Sequence, residues 1–333
     1  MWICLANIFP ALANDINVDM VVVTVRVDKH LHVTRPILKA GKDVYVEWPL
    51  GRNLAEAQEL VSLKKSSGVN RAIVGLQERQ SPVIKLLREL VVSEKIGRTL
   101  SSTFNGYMTG LGGPKQNVVV NYATSREIGA NMLAIGFGHI IEFVHQGRID
   151  STFSAMVFLI LMGIIVLGNG FKAPPKTLLA NKRPIIDIVD DEGKVVELNL
   201  SKNADDTLFL NGILASGVAL SFNLRGGAAF KGTPHLDWRI YGEKGEIRIT
   251  SPSCFLEFET PNTKVEVYDF ASDSVEEIQI PGDELTELGV AQSNIGRLYR
   301  DFAGDEETVC TFEQALKIHE LVDHIYKDNG LKV

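Results

Sequence analysis

The stretch Val18-Asp19-Met20-Val21-Val22-Val23-Thr24-Val25 decides the fold of this chain. A continuous run of apolar and β-branched residues is typical of a central parallel strand that is covered on both faces. Two more runs of this kind follow it, Asp43-Val44-Tyr45-Val46-Glu47 and Ala72-Ile73-Val74-Gly75-Leu76. Segments with helical character follow the three strands at residues 28–40, 54–66 and 81–93. The βαβαβα alternation over residues 18–96 predicts a doubly wound parallel sheet.

The pattern changes after Gly97, where short strands replace the alternation of strands and helices. Residues 98–107 and much of 184–268 alternate between apolar and polar side chains, with turns such as Gly242-Glu243-Lys244-Gly245 between them. Helices are predicted at residues 128–146, 290–302 and 312–326. We therefore expect an α/β fold. A truncated doubly wound (Rossmann) domain spans residues 1–97, and an α+β domain with a large, mainly antiparallel sheet spans residues 98–333.

An uncharged segment, residues 151–171, interrupts the second domain and contains the apolar run from Ala155 to Leu167. Its length and hydropathy are marginal for a transmembrane helix. A membrane span at this place would put the two halves of one domain on opposite sides of a bilayer. We therefore predict a buried or misplaced apolar insertion at residues 151–176, and a membrane span only as the less favoured alternative.

Composition argues against several classes of protein. The 333 residues carry a formal net charge of -7 and no long basic run, which argues against direct binding of nucleic acid through phosphate neutralisation. The cysteines Cys4, Cys254 and Cys310 are few and far apart, and the histidines lack metal-like spacing, so we predict no metal site. Met1–Ala13 has no basic n-region and makes a poor signal peptide. We expect a cytoplasmic location, with a nuclear one as the alternative.

The phosphate-binding turn of a dinucleotide domain is not found where the fold would need it. Only 17 residues precede Val18, and no G-x-G-x-x-G lies near the first strand. The glycines, the helix N-terminus that they open and the acidic ribose ligand are all missing. We therefore expect that the N-terminal part of the Rossmann domain is missing and that dinucleotide binding is weakened.

An ordered series of motifs runs through the chain. It comprises Asp19–Thr24, His30, Ala40–Leu50 with Glu47-Trp48-Pro49, Gly75-Leu76-Gln77, Arg79, Ser81-Pro82, Gly138-His139, Leu179–Pro184 and Trp238–Gly242. Over residues 14–147 and 177–328 the series resembles the Gfo/Idh/MocA oxidoreductase family, and within it the branch that contains the yeast galactose-pathway repressor. The resemblance implies an NAD or NADP cofactor, a sugar or polyol ligand and chemistry at a CH–OH group.

The resemblance also implies where the site lies. It assigns cofactor contacts to Val25, Arg26, His30, Glu47, Trp48 and Gln77. The family's Glu-Lys-Pro triplet is Glu47-Trp48-Pro49 here, and an indole cannot ionise. The aspartate of the family's helix motif corresponds to Ala134, while His139 stands one place later than in the enzymes. Hydride transfer from an alcohol needs a group that accepts the hydroxyl proton, so His139 is the candidate catalytic residue and Glu142 a group that could tune it.

Each of these residues also has a purely structural interpretation. His139 follows Gly138 on an apolar helix, where a buried core histidine is common. Trp48 could fill the mouth of the cleft, Glu47 could cap a turn, and His30 could begin a helix near the cofactor cleft without taking part in chemistry.

Three functions therefore stay open. The first is an NAD(P)-binding oxidoreductase, a relative of sugar or polyol dehydrogenases with weakened or absent catalysis. The second is a non-catalytic, dinucleotide-sensing transcriptional regulator, and the third is an inactive truncated gene product. As partners we expect a dinucleotide, a small sugar-like ligand and a second copy of the chain bound through the C-terminal sheet, with no direct contact to nucleic acid and no membrane.

Overall fold

The computed structural model describes residues 8–69, 71–145, 166–167, 170–256, 262–289, 292–304 and 308–332. The strands within these ranges are β1 (Met20–Val23), β2 (Asp43–Glu47), β3 (Ala72–Gly75), β4 (Thr99–Met108), β5 (Lys115–Asn117), β6 (Lys176–Ala180), β7 (Ile185–Val189), β8 (Val195–Ser201), β9 (Thr207–Ile213), β10 (Ala219–Gly226), β11 (Leu236–Gly242), β12 (Gly245–Ser251), β13 (Lys264–Asp269), β14 (Ser274–Ile278) and β15 (Cys310–Thr311). The α-helices are α1 (Ile8–Asn14), α2 (His30–Lys39), α3 (Leu54–Ser67), α4 (Pro82–Val92), α5 (Gly138–His145), α6 (Gln292–Ala303) and α7 (Phe312–Asp328).

The first sheet confirms the predicted βαβαβα unit. Its order is β1-β2-β3-β15, with β1, β2 and β3 parallel and β15 antiparallel to β3. Gly41 and Gly68, with φ of 74° and 73°, follow α2 and α3 in the left-handed conformation that glycine adopts without strain. Asn53 accepts a hydrogen bond from the Glu56 N–H and so begins α3.

One expectation about this sheet is wrong. Residues 18–25 were expected to form a central strand covered on both faces, yet among the described strands β1 pairs only with β2 and lies at the edge. Val22 is 44% exposed, while Val21 and Val23 on the other face are buried. The strand that is buried along its whole length is β3, because β2 and β15 flank it.

The second sheet is the large, mainly antiparallel one that the alternating segments predict. Its order is β14-β13-β12-β11-β4-β10-β9-β6, and only β4 and β10 are parallel neighbours among the described strands. Aromatic rings on its inner face stack on one another, with the centroids of Phe104 and Phe222 4.6 Å apart. The Phe143 ring on α5 packs 5.7 Å from the Trp238 ring, so α5 covers this face. A small third sheet has the order β5-β7-β8.

The helix predicted at residues 128–146 begins later than expected. Arg126–Ile128 is a separate 3-10 turn, and Gly129 breaks the chain direction with φ of 74°. Asn131 then accepts hydrogen bonds from the N–H groups of Leu133 and Ala134. The first turn, Met132–Phe137, is a π-helix, and α5 continues from it. Glycine and asparagine chemistry therefore sets the start of this helix, which apolar periodicity alone does not reveal.

The end of the chain returns to the first sheet. β15 pairs with β3, and α7 packs against α3. The Thr311 side chain and Gln314 form a capping box at the start of α7. This return joins the two halves of the chain, and the domain boundary at residue 97 stays a prediction.

Most of the apolar segment at 151–171 lies outside the described residues. The part that is described, Val166 and Leu167, is buried, and the Leu167 carbonyl accepts a hydrogen bond from the Ser216 hydroxyl at 2.7 Å. Phe171 forms a bridge with Leu214. The end of the segment therefore belongs to the core. Among the residues that the structure describes, no helix is long and apolar enough to cross a bilayer.

Candidate functional site

The predicted cofactor residues meet at one edge of the first sheet. Val25 and Arg26 follow β1, Trp48 follows β2 and Gln77 follows β3. The carboxyl ends of parallel strands lie at the same edge of a sheet, and ligands of doubly wound folds bind outside that edge. The fold therefore brings together the residues that the sequence places far apart.

His30 is held between two of these strand ends. Its Nε2 lies 2.8 Å from the Val25 carbonyl oxygen, and its Nδ1 lies 2.8 Å from the Pro49 carbonyl oxygen. Burial lowers the pKa of His30, and these hydrogen bonds oppose the decrease. Each ring nitrogen lies within hydrogen-bond distance of a backbone carbonyl, and a neutral imidazole donates its single N–H to one of the two. The geometry favours a structural role for His30 in fixing the loops after β1 and β2.

The Trp48 indole is buried behind the same edge. Its Nε1 donates to the Ala134 carbonyl oxygen at 2.8 Å, and its ring centroid lies 4.9 Å from that of His319. A Cβ at Gly138 would come within 2.5 Å of the indole, so Gly138 makes room for it. The two positions that depart from the family's pattern, Trp48 and Ala134, are therefore in direct contact.

The remaining predicted cofactor residues differ in whether their polar side-chain atoms already have hydrogen-bond partners within the protein. The Glu47 carboxylate accepts a hydrogen bond from the Tyr45 hydroxyl at 2.7 Å. Arg26 donates to Asp28 at 2.6 Å, and its guanidinium carbon lies 5.9 Å from the centroid of the Tyr122 ring. Gln77 Oε1 is buried and has no hydrogen-bond partner among the described residues. A buried amide oxygen of this kind is suited to accept a hydrogen bond from a ligand.

His139 is positioned by a residue that the sequence analysis did not single out. Its Nδ1 lies 2.5 Å from Glu78 Oε1, and the Glu78 side chain is fully buried. The Phe255 ring stands edge-on to the imidazole, with centroids 6.2 Å apart. A nitrogen and an oxygen this close need a proton between them, because two lone pairs would repel.

Glu142, the predicted tuning group, is hydrogen-bonded to a residue other than His139. Arg79 Nε donates to the Glu142 carboxylate, and Arg79 also donates to Gln314 at 3.0 Å. Burial raises the pKa of Glu142, and the Arg79 guanidinium and His139 oppose that increase. Burial alone would lower the pKa of Arg79, but the Glu142 carboxylate raises it, so the guanidinium stays charged. Glu142 therefore acts on His139 only as a nearby charge.

The sequence contained a signal for this cluster. Gln77-Glu78-Arg79-Gln80 follows the buried strand β3 after Leu76, and it forms a 3-10 turn in which Glu78, Arg79 and Gln80 are buried. Three consecutive buried polar residues are unusual in a protein core. Gln80 donates to the Thr308 carbonyl oxygen at 3.2 Å, which ties the turn to the segment before β15.

A separate cleft adjoins Trp48. It encloses about 410 Å³, including space open to solvent, between the start of α3 and α7, and Arg52, His319, Asp323 and Tyr326 are among the residues that line it. Burial lowers the pKa of His319 to about 3, so this imidazole is neutral. Trp48 and Ala134 also line this cleft, whereas His139 and Gln77 do not, so the cleft adjoins the carboxyl edge at Trp48.

The described residues fit one end of a dinucleotide better than the other. Gln77 and Glu47 offer hydrogen-bond acceptors at the carboxyl edge, which suits a carboxamide or ribose hydroxyl group. No glycine-rich turn flanks β1 in the part of the chain that the structure describes, so a pyrophosphate finds no cluster of backbone N–H groups there. No group of three or more potential metal ligands occurs among the described residues either.

Comparison with known proteins identifies the family. Residues 4–76 match the oxidoreductase family with an NAD-binding Rossmann fold, and residues 82–164 and 162–251 match the family of the Gal80p C-terminal domain. The chain belongs to the Gfo/Idh/MocA oxidoreductase family, in its Gal80-like branch. The predicted resemblance is confirmed, as is the α/β fold class. The match to an NAD-binding fold supports a nucleotide cofactor for this Gal80-like chain.

Individual relatives include both enzymes and regulators. Dehydrogenase aclE of Aspergillus oryzae is 28% identical over 95% of this chain and 78% of its own length. The galactose/lactose metabolism regulatory protein GAL80 of Kluyveromyces lactis is 28% identical over 72% of this chain and 50% of its own length. A super-repressor mutant of Gal80p from Saccharomyces cerevisiae superposes with a TM-score of 0.79 at 23% identity, covering 97% of this chain and 81% of that one. The dehydrogenase-like and the Gal80-like interpretations therefore both have support.

Proposed function

We propose that this Gal80-like chain binds NAD or NADP at the carboxyl edge of β1, β2 and β3 and acts on a CH–OH or carbonyl group of a small sugar-like ligand, with weakened catalysis. The observation that carries the proposal is the contact of His139 with the buried Glu78 at 2.5 Å. A carboxylate that fixes one imidazole nitrogen is the arrangement by which histidines act as acid–base catalysts. The extent of the similarity to dehydrogenase aclE gives it further support.

The chain's own residues supply binding, orientation and a proton path. Gln77, Glu47 and Arg26 are the proposed contacts to the cofactor, and the His30 bridge keeps the loops that follow β1 and β2 in place. When bound, the cofactor supplies or accepts a hydride. His139 moves the proton at the substrate oxygen, and Glu78 fixes the orientation of its imidazole.

We propose weak cofactor binding because no glycine-rich turn flanks β1 among the residues that the structure describes. Backbone N–H groups and the helix dipole normally hold the pyrophosphate. We expect micromolar affinity to be out of reach for free NADH and NADPH. Titration followed by tryptophan fluorescence tests this, and a dissociation constant in the low micromolar range contradicts it.

Turnover is tested with a panel of sugars and polyols and their carbonyl counterparts. Native protein and His139→Asn are compared, since asparagine keeps a hydrogen-bonding group but does not titrate. Loss of one acid–base group costs about a hundred- to ten-thousandfold in rate. Equal rates for the two proteins exclude His139 as the proton-transfer group.

A second candidate function is a regulator that senses a dinucleotide without turnover. The contact between the Trp48 indole and the Ala134 carbonyl favours it, because both positions carry ionisable groups in the family's enzymes. The similarity to the regulatory protein of Kluyveromyces lactis points the same way. Saturable binding of NADH or NADPH without oxidation or reduction of any panel member would favour this function.

We also propose that the large sheet mediates a homodimer. Leu178 on β6 and Phe209 on β9 are cross-strand neighbours on its outer face, and both are about half exposed, as is Ile213. Apolar side chains grouped on an exposed sheet face commonly mark an interface. Phe209→Glu should convert a dimer to a monomer in analytical ultracentrifugation. We further propose a cytoplasmic or nuclear location, which imaging of a fluorescent fusion tests.

A further inference from the structure

Four buried charged or titratable side chains form one connected cluster beneath the sheet edge. Glu78 contacts His139, and Arg79 contacts Glu142. Glu78, Arg79 and Glu142 expose 2% or less of their side chains, and His139 exposes 9%. Any proton that enters or leaves this cluster therefore does so most directly through His139.

Charge balance fixes the number of protons that the cluster holds. With Arg79 charged, the four groups are neutral when Glu78, Glu142 and His139 together bind one proton. Without that proton the cluster would carry a net negative charge out of reach of water, which costs several kcal/mol. Imidazole has a higher intrinsic proton affinity than a carboxylate, so the proton belongs to the contact between His139 and Glu78.

The other groups beside this contact that the structure describes, taken from β15, β2, α7 and Phe255, are neutral. The Cys310 thiol on β15 is neutral, since burial raises its pKa to about 12. Burial, together with the negative charges of Glu47 and Glu78, raises the pKa of Tyr45 on β2. The phenol therefore also stays neutral. Gln314 on α7 and the Phe255 ring carry no charge.

We propose that the His139–Glu78 pair stores a proton at neutral pH and delivers it to a substrate carbonyl oxygen, so that this site favours carbonyl reduction over alcohol oxidation. Storage follows from the cluster alone, whereas delivery rests on the proposed function. Glu78 is a positioning residue, and His139 is the group that touches the substrate.

The delivery step balances as follows. The C=O π bond breaks, the carbonyl carbon gains a hydride from a reduced nicotinamide dinucleotide, and the carbonyl oxygen gains the stored proton to give an alcohol. The dinucleotide leaves oxidised, and water returns one proton to the His139–Glu78 pair. An imidazolium that donates to a developing alkoxide is the direction that general acid catalysis favours at neutral pH.

Storage is tested without any turnover. The histidine ring ¹⁵N signals of the full chain are followed between about pH 5 and pH 9, and the His139 signal is identified by its loss in His139→Gln. We expect a titration midpoint at least about one unit above the value of about 6.5 for an unperturbed histidine. Glu78→Gln removes one negative charge at nearly constant shape and should lower the midpoint by about one unit or more, a tenfold fall in proton affinity. Glu89→Gln, a change to an exposed carboxylate on α4, is the matched control.

Each outcome decides a part of the proposal. A His139 midpoint at or below the ordinary value in the native protein overturns storage, even in the case that Glu78→Gln does not fold. An equal midpoint in native protein and folded Glu78→Gln also overturns it. A raised midpoint together with reduction of a carbonyl panel by NADH or NADPH that falls about tenfold in Glu78→Gln supports both parts. A raised midpoint without reduction of any panel member overturns delivery and the proposed function, and leaves storage standing.

Discussion

Gly138→Ala should destabilise the protein although alanine is the better helix former. The added Cβ would lie 2.5 Å from Nε1 and Cζ2 of the Trp48 indole, about 1 Å inside an ordinary contact. The indole has little freedom to move, because its N–H is bonded to the Ala134 carbonyl and its ring faces His319. Overpacking of a core costs about 1–3 kcal/mol, and a carbonyl left unpaired costs a further 1–3 kcal/mol or so. The gain in helix propensity is about 1 kcal/mol. We therefore expect a net loss of about 3 kcal/mol, within a range of about 1–5 kcal/mol.

Urea unfolding followed by circular dichroism measures this loss as a lower midpoint at unchanged slope. Gly110→Ala is the matched control, since nothing lies within 4 Å of its Cβ position, and it should change stability by less than about 0.5 kcal/mol. Trp48→Phe removes the indole atoms that the new methyl group meets. In a double-mutant cycle it should rescue Gly138→Ala by about 1 kcal/mol or more. A Gly138→Ala protein as stable as the native one, or no coupling to Trp48→Phe, refutes the packing argument.

Three further predictions follow from charges and from the apolar segment. His319 has a pKa of about 3 in the folded state and about 6.5 in the unfolded state. Between these pH values the unfolded state binds more protons, so the free energy of unfolding falls by about 1.4 kcal/mol for each unit by which the pH drops. His319→Phe should flatten urea midpoints between pH 7 and pH 5. The hydrogen bond from Arg26 lowers the pKa of Asp28 to about 2. The ionised Asp28 should therefore stabilise the folded protein by less than about 1 kcal/mol above pH 4, and this contribution should be lost as the pH falls towards 2. Asp28→Asn should remove this pH dependence of stability in acid titrations. Deletion of residues 151–165 should raise the soluble yield, whereas a deletion extended through Leu167 should lower stability, because Val166 and Leu167 are buried.

The sequence predicts the strands and helices of the first half closely, because each signal there is local. β2 has the predicted bounds, and α3 begins at the predicted residue and ends one residue later than predicted. The edge position of β1 was missed, since a hydrophobic run does not show how many neighbours a strand has. The π-helical start of the helix before His139 was missed because it depends on Gly129 and Asn131, which interrupt an otherwise apolar periodicity.

The candidate site was predicted only in part, and the missing part is long-range. His139 and Glu142 were recognisable as neighbours on one helix, but Glu78 lies 61 positions before His139 in the chain. Their contact exists because the Gln77–Gln80 turn, which follows β3, lies beside α5 in the folded protein. No spacing rule for a single helix or strand contains that information. The useful signal was the polarity of Glu78-Arg79-Gln80 shortly after a buried strand.

The contact between Trp48 and Ala134 changes how the loss of the family's ionisable groups is understood. If a lysine and an aspartate had simply been lost independently, their places would be filled by unrelated side chains. Here the indole N–H bonds the backbone of the other position, and Gly138 leaves the space that the ring needs. Restoring lysine at position 48 alone would bury an ammonium group beside the neutral His319 ring, with a desolvation cost of several kcal/mol. The packing around Trp48 therefore opposes a lysine at position 48, which supports the proposal that His139, with Glu78 behind it, is the acid–base group.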